Sequence, residues 1–214
     1  MQANSTANNK HIIFLILVAS LGYFVDIYDL VIFFIVRIPS FADLGIPEQQ
    51  MRVGGEFVLN MQMGGLLIGG VIWGIIGDKY GRIKVLFGSI LLYSLANIAN
   101  AFVNDLHSYA IIRFIAGLGL AGELGAGVTL VNETMHKEKR GYGTMLIATI
   151  GVLGAVAAFY IAEHYAWRNA YIAGGIMGLL LLLLRLGTFE SGMFKKSMDD
   201  HVAKGSITLL FNNR

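Results

Sequence analysis

Gly74-Ile75-Ile76-Gly77-Asp78-Lys79-Tyr80-Gly81-Arg82-Ile83-Lys84 is a short charged stretch, punctuated by glycine, between two long apolar runs. Its glycines permit a tight turn or a close approach of two helices. Asp78 falls where one helix ends and the next begins. Lys79, Arg82 and Lys84 supply the basic residues that mark a cytoplasmic face. The stretch reads as a turn between two membrane helices.

The composition agrees. Of 214 residues, 56% are hydrophobic and only 14% charged, against about 25% charged in a typical soluble domain. The net charge of +2 is too small to suggest nucleic acid, and the basic residues sit in loops rather than on one stripe. With no cysteine, disulfide frameworks and thiolate metal sites are excluded. The five histidines have no metal spacing, and no Ser-His-Asp or phosphate-loop pattern occurs. Neither an enzyme, a metal site nor a cofactor is expected. Met1 to Lys10 is polar; the apolar run after it is too long for a signal-peptide core and is expected to stay as a first helix.

Six stretches approach the ~20 apolar residues that a bilayer crossing requires. They run from Ile12 to Val36, Val53 to Gly77, Ile83 to Val103, Ser108 to Val131, Tyr142 to Ala162 and Asn169 to Gly187. Lipid offers backbone groups no partners, and no barrel-like alternation is present, so the spans are helices. The expected fold is an all-α membrane protein, a six-transmembrane-helix bundle over residues 12–187. A cytoplasmic N-terminus (1–11) precedes it and a polar cytoplasmic tail (188–214) follows. Gly64, Gly65, Gly69, Gly70 and Gly74 in the second span, and the glycines from Gly117 to Gly127 in the fourth, let helices approach closely. Lys10, the Lys79–Lys84 set, Lys137, Lys139, Arg140, Lys195 and Lys196 fall on one side. By the positive-inside rule both termini are cytoplasmic.

Ionisable residues inside spans are expensive and face a cavity or a partner. Asp26 and Asp29 lie three residues apart on one face of the first span, with Tyr23 close by. By helical rise, Asp29 lies ~10 Å below the outer end of its helix and Arg113 ~9 Å below its own. An Asp29–Arg113 or Asp26–Arg113 pair is therefore expected. It reads either as a proton-coupling site or as a fixed structural ion pair. Glu123, deeper toward the cytoplasm, either lines a cavity or holds a neighbouring helix. Asn60, Gln62, Asn97 and Asn100 are polar groups within spans, read mainly as helix–helix hydrogen-bonding groups and otherwise as substrate contacts. Trp73 and Trp167 read as interfacial anchors. Asp78, Arg82, Glu133 and Arg140 would form a cytoplasmic ion-pair latch that favours one conformational state.

The Gly74–Lys84 stretch resembles the loop signature G-x-x-x-D-[RK]-x-G-R-[KR] of the major facilitator superfamily, through Gly74, Asp78, Lys79, Gly81 and Arg82. Arg113, Gly117, Gly119, Gly122 and Glu123 resemble the fourth-helix motif R-x-x-x-G-x-G-x-G-G-E. Glu133 with Arg140-Gly141, Trp167-Arg168, and Arg185 with Glu190-Ser191-Gly192-Met193-Phe194 extend the likeness, and Tyr28-Asp29 is similar to the first-helix Y-D. Together these resemble the metabolite:proton symporter branch, near the sugar porters. Gly192 stands where proline is usual, and Asp26-Ile27 replaces an acidic-aromatic pair. No proline follows Gly154, which weakens a drug-efflux reading.

The resemblance implies the N-terminal half of a secondary transporter of a cytoplasmic (inner) membrane. It would take up a small metabolite, such as an organic acid or osmolyte, with a proton. Family members are two six-helix bundles around one substrate site. A second bundle, from a homodimer or a separate chain, would thus be a partner beside the substrate, the proton and the lipid bilayer. The alternatives are a non-transporting truncated fragment or membrane interaction subunit, and a sugar-porter or drug-efflux half.

Overall fold

A computed structural model describes residues 2–134 and 140–185, with side chains described for 16–81, 84–123 and 141–185. Six helices follow in order: α1 (Gln2–Asp43), α2 (Glu48–Tyr80), α3 (Arg82–Asn100), α4 (Leu106–Thr134), α5 (Arg140–His164) and α6 (Trp167–Leu184). No strand occurs among the described residues. The chain is an all-α, six-helix membrane bundle. By length and composition four helical stretches can cross a membrane: Ile16–Asp43, Glu48–Tyr80, Gly141–His164 and Trp167–Leu184. Lys84–Asn100 is a shorter apolar helix. The helices run past several expected ends: α1 starts at Gln2 rather than Ile12, and α2 at Glu48 rather than Val53.

The breaks between helices follow local chemistry. Gly81, between α2 and α3, has φ 99° and ψ 148°, in the region where a side chain is strained, and its N–H still bonds the Gly77 carbonyl. The opening stretch is thus a one-residue joint. Gly45 (φ 71°) turns the chain after α1, and Pro47 precedes α2, whose first residue, Glu48, suits the positive end of the helix dipole. At α4, Asp105 accepts from the Ser108 N–H (2.8 Å) and hydroxyl (2.6 Å), satisfying a donor the helix itself leaves free.

Within the bundle α1 and α4 touch, α5 flanks α1, α2 flanks α4, and α3 lies against α4 and α6. Glycine sets the helix separations. A β-carbon on Gly65 would strike the backbone carbonyl of Phe114; one on Gly117 would strike that of Gln62, and one on Gly154 that of Phe24. These contacts are backbone against backbone, which only small residues permit. The larger buried cluster, with Phe33, Phe41, Tyr109, Trp167 and Tyr171, gathers near the end that holds the α1–α2 and α3–α4 loops. Leu67, Ile68 and Val71 of α2 and Val152, Leu153 and Val156 of α5 instead face outward.

Both tryptophans, expected as interfacial anchors, also tie helices together. Trp73 donates to the Leu118 carbonyl (2.7 Å) and packs beneath Gly88 and Gly122, joining α2 to α3 and α4. Trp167 is buried, stacks on Tyr109 and donates to Asp43 (3.1 Å). Their N–H groups bond neighbouring helices, Trp73 the backbone of α4 and Trp167 the carboxylate at the end of α1. Arg168 adds to the second contact. It donates to the carbonyls of Ala101 (2.8 Å) and Val103 (3.1 Å) and pairs with Asp43 (3.3 Å). The ends of α1, α3 and α6 are thereby joined.

Candidate functional site

Five ionisable side chains converge in the interior, each at most 2% exposed: Asp26, Asp29, Arg113, Glu123 and Arg185. They form two tiers. In the first, Arg113 of α4 grips Asp29 of α1. Its Nη1 donates to Asp29 Oδ1 (3.0 Å), and its Nη2 donates to Asp29 Oδ2 (3.3 Å) and the Asp29 carbonyl (3.1 Å). Nη1 also donates to Asn97 Oδ1 of α3 (3.0 Å), and the guanidinium lies 5.4 Å over the Tyr171 ring of α6. Four helices thus meet on one cation. A guanidinium presents its donors in a planar fork that a carboxylate matches two at a time, which a lysine would not reproduce.

A chain of hydroxyls leads away from this pair. Tyr171 and Tyr109 share a 2.7 Å hydrogen bond, and Tyr109 reaches Ser40 at 3.4 Å. Tyr28, next to Asp29, donates to the Ala170 carbonyl (2.7 Å), tying α1 to α6 beside the pair.

The second tier lies toward the Gly81 end. Arg185, in the residue after α6, donates to Glu123 Oε1 of α4 at 2.5 Å. Gly22 of α1 lies directly against both groups, so that a β-carbon there would collide with them. Asp26, one helical turn beyond Gly22, feels Glu123, Arg185 and Asp29, and its Oδ1 has no hydrogen-bond partner. Tyr93 of α3 faces the same carboxyl groups.

The expected site residues are placed as follows. Of the two pairings left open for Arg113, the structure holds Asp29; Asp26 turns to the second tier. Glu123 joins α4 to Arg185. Tyr23 packs against Gly151 at the α1–α5 contact. Gln62 is fully buried with both amide atoms unpartnered, whereas Asn60 is exposed. At the α2–α3 joint, Gly74 and Asp78 are exposed and Gly81 is buried. The side chains of Arg82, Glu133 and Arg140 lie outside the described residues, so of the expected latch only Gly74, Asp78 and Gly81 are described. Arg185 was not anticipated as a site residue. Its only signal was its membership of the closing motif, since it stands at the last turn of its span, where a cation ordinarily reaches the interface. Among the described residues no cluster of His, Asp or Glu has the arrangement of a metal site.

Residues 13–214 match the sequence profile of the Major Facilitator Superfamily. The sialic acid transporter NanX of Escherichia coli (strain K12) is 34% identical over 178 residues, which cover 81% of this chain and 43% of that protein. The niacin transporter NiaP of Acinetobacter baylyi (strain ATCC 33305 / BD413 / ADP1) is 29% identical over 174 residues, 79% of this chain and 39% of its own. Among solved structures, the partially occluded inward-open xylose transporter XylE from E. coli superposes with a TM-score of 0.78 at 19% identity, over 88% of this chain and 52% of that one. The chain spans less than half the length of these two curated relatives. With the family profile covering nearly every residue and the six-helix bundle matching in space, the chain belongs to the major facilitator superfamily.

Proposed function

We propose that this chain forms one half of a secondary transporter that takes up a small organic acid or osmolyte together with a proton. The observation that carries the reading is the fully buried Asp29–Arg113 pair, at which α1, α3, α4 and α6 meet. Two opposite charges buried in a membrane bundle cost desolvation that a purely structural contact between apolar helices would avoid. Protonation of Asp29 would remove its charge and weaken its hold on Arg113. The contacts between α1 and α4 would then depend on whether a proton is bound. Rocking of this bundle against a second one would expose the site alternately to each side of the membrane. The second bundle comes from a second copy or another polypeptide segment, since the relatives are more than twice as long as their matched region. Tyr23, Asn60, Gln62 and Glu123 are the candidates for lining the path. Gly74, Asp78, Gly81, Arg82, Glu133 and Arg140 are those for the cytoplasmic latch. The basic residues around Gly81 support a reading in which that end, and both termini, face the cytoplasm at an inner membrane.

An organic acid is favoured because two of the relatives are named for sialic acid and niacin, both carboxylic acids. The test is substrate-driven acidification of liposomes that contain the purified chain, with organic acids, betaines and sugars supplied in turn. Uptake with proton entry, lost in Asp29→Asn while substrate exchange persists, is the expected result. Proton entry unchanged by Asp29→Asn would remove the coupling role. The absence of any flux from folded chain would favour the rival reading, a half that does not transport by itself.

A further inference from the structure

The second tier is unbalanced in charge. Arg113 is matched by Asp29, which among the described residues leaves Asp26 and Glu123 facing one guanidinium, that of Arg185. All of these groups are at most 2% exposed, and a net charge at such a site is strongly disfavoured. Each carboxyl group also keeps one buried oxygen without a partner, Oδ1 of Asp26 and Oε2 of Glu123. Two like carboxyl groups sharing one site do not both ionise. We propose that Asp26 and Glu123 hold one proton between them over Arg185, making this cluster a proton-binding site separate from the Asp29–Arg113 pair.

The surroundings of the cluster fit such an exchange. The groups acting on Asp26 are Glu123 from α4, Arg185 after α6 and Asp29 from α1 itself. Tyr93, from α3, faces both acids, and its buried hydroxyl lies beside Glu123. Gly22 leaves room for the ion pair against the α1 backbone, where any side chain would push it away. With the proton on Asp26, the Glu123 carboxylate keeps Arg185 and α4 is tied to the end of α6. Transfer of that proton to a Glu123 oxygen leaves Asp26 as the carboxylate and Glu123 as the neutral acid. Arg185 then passes to α1. One proton moves, the net charge stays zero, and the end of α6 changes partner. The use of this exchange in transport rests on the function proposed above; the shared proton does not.

Infrared spectroscopy of the full purified chain in nanodiscs at neutral pH tests it, through the carbonyl stretch of protonated carboxylic acids and its shift in heavy water. The expected amounts are one protonated carboxyl per chain in the wild type, none in Asp26→Asn, none in Glu123→Gln and two in Arg185→Met. Asp26→Asn and Glu123→Gln each leave one acid facing one arginine, so both are expected to fold; helicity by circular dichroism checks this. If Arg185→Met fails to fold, the other three still decide. A wild type without the band, or a band that survives both acid substitutions, would overturn the proposal. The spectra are taken without substrate. Loss of flux with the band intact would therefore count against the transport reading alone.

Discussion

Removing both members of the Asp29–Arg113 pair should cost far less than the sum of the two single losses. Arg113→Met leaves a carboxylate that is 1% exposed without its cation, and Asp29→Asn leaves a guanidinium that is fully buried without its anion. Losing one partner of a buried ion pair typically costs about 3–5 kcal/mol. If the two positions were independent, the double variant would lose about 6–10 kcal/mol, the sum of two such losses. The paired charges interact through two guanidinium–carboxylate hydrogen bonds, of 3.0 and 3.3 Å. Hydrogen bonds to charged groups contribute about 1.5–3 kcal/mol each. Replacing a whole buried pair by neutral groups is often close to neutral, so the double variant should recover at least about 3 kcal/mol of the summed loss. The assay is equilibrium unfolding of the purified chain in mixed micelles by titration with sodium dodecyl sulfate. Circular dichroism follows the helices, and fluorescence follows Trp167, which stacks on Tyr109 next to Tyr171. Additivity within about 0.5 kcal/mol would show that neither residue depends on the other, refuting the pairing on which the coupling argument stands.

Two further predictions concern the scaffold. Gly64 and Gly65 are adjacent in α2, yet a β-carbon on Gly64 has its nearest neighbour 4.0 Å away, whereas one on Gly65 strikes the Phe114 backbone. Gly64→Ala should be neutral or stabilising, and Gly65→Ala should be worse by about 1–3 kcal/mol as helices are forced apart. At roughly 2–4 °C per kcal/mol the two melting temperatures should separate by several degrees; equal values would mean that α2 and α4 are not in backbone contact. Asp105 is a surface carboxylate held below its ordinary range by the Ser108 hydroxyl and N–H. Because its folded value is lowered, its stabilising effect is complete above about pH 4, the unfolded value, and fades as pH falls through the lower folded one. Protection of the Ser108 amide, taken against its intrinsic exchange rate at the same pH, should fall across that acid range, and in Asp105→Ala it should be low at every pH. Slow exchange in that variant would deny Asp105 the capping role.

Much of this bundle is legible in the sequence because a bilayer narrows the choices. Long apolar runs must be helices, and a glycine-punctuated charged stretch between two of them must be a turn, which Gly81 makes with a single residue. Helical rise puts Arg113 at the depth of the first-span acids, since depth can be counted along each span, and so gives a pair with Asp29 or Asp26. Rise says nothing about which helices are neighbours or which way a side chain leans. For that reason Asp26 was left open to Arg113, and Arg185, 62 residues from Glu123, went unrecognised as its partner. The tryptophans illustrate the same gap. Position near a span end suggests an anchor, but only the packing shows that Trp73 fills the space beside Gly88 and Gly122.

The joint of Asp43 with Trp167 and Arg168 has a consequence for the order of assembly. Its partners are 124 and 125 residues apart, and Tyr28 finds the Ala170 carbonyl across 142. During synthesis α1 is complete long before α6 emerges, so these bonds cannot form until α6 has entered the membrane. Asp29 and its cation can meet as soon as α4 is in place, 84 residues after α1's acid is made. The charged pair can thus form before the aromatic contacts of α6, which must wait until that helix has entered the membrane.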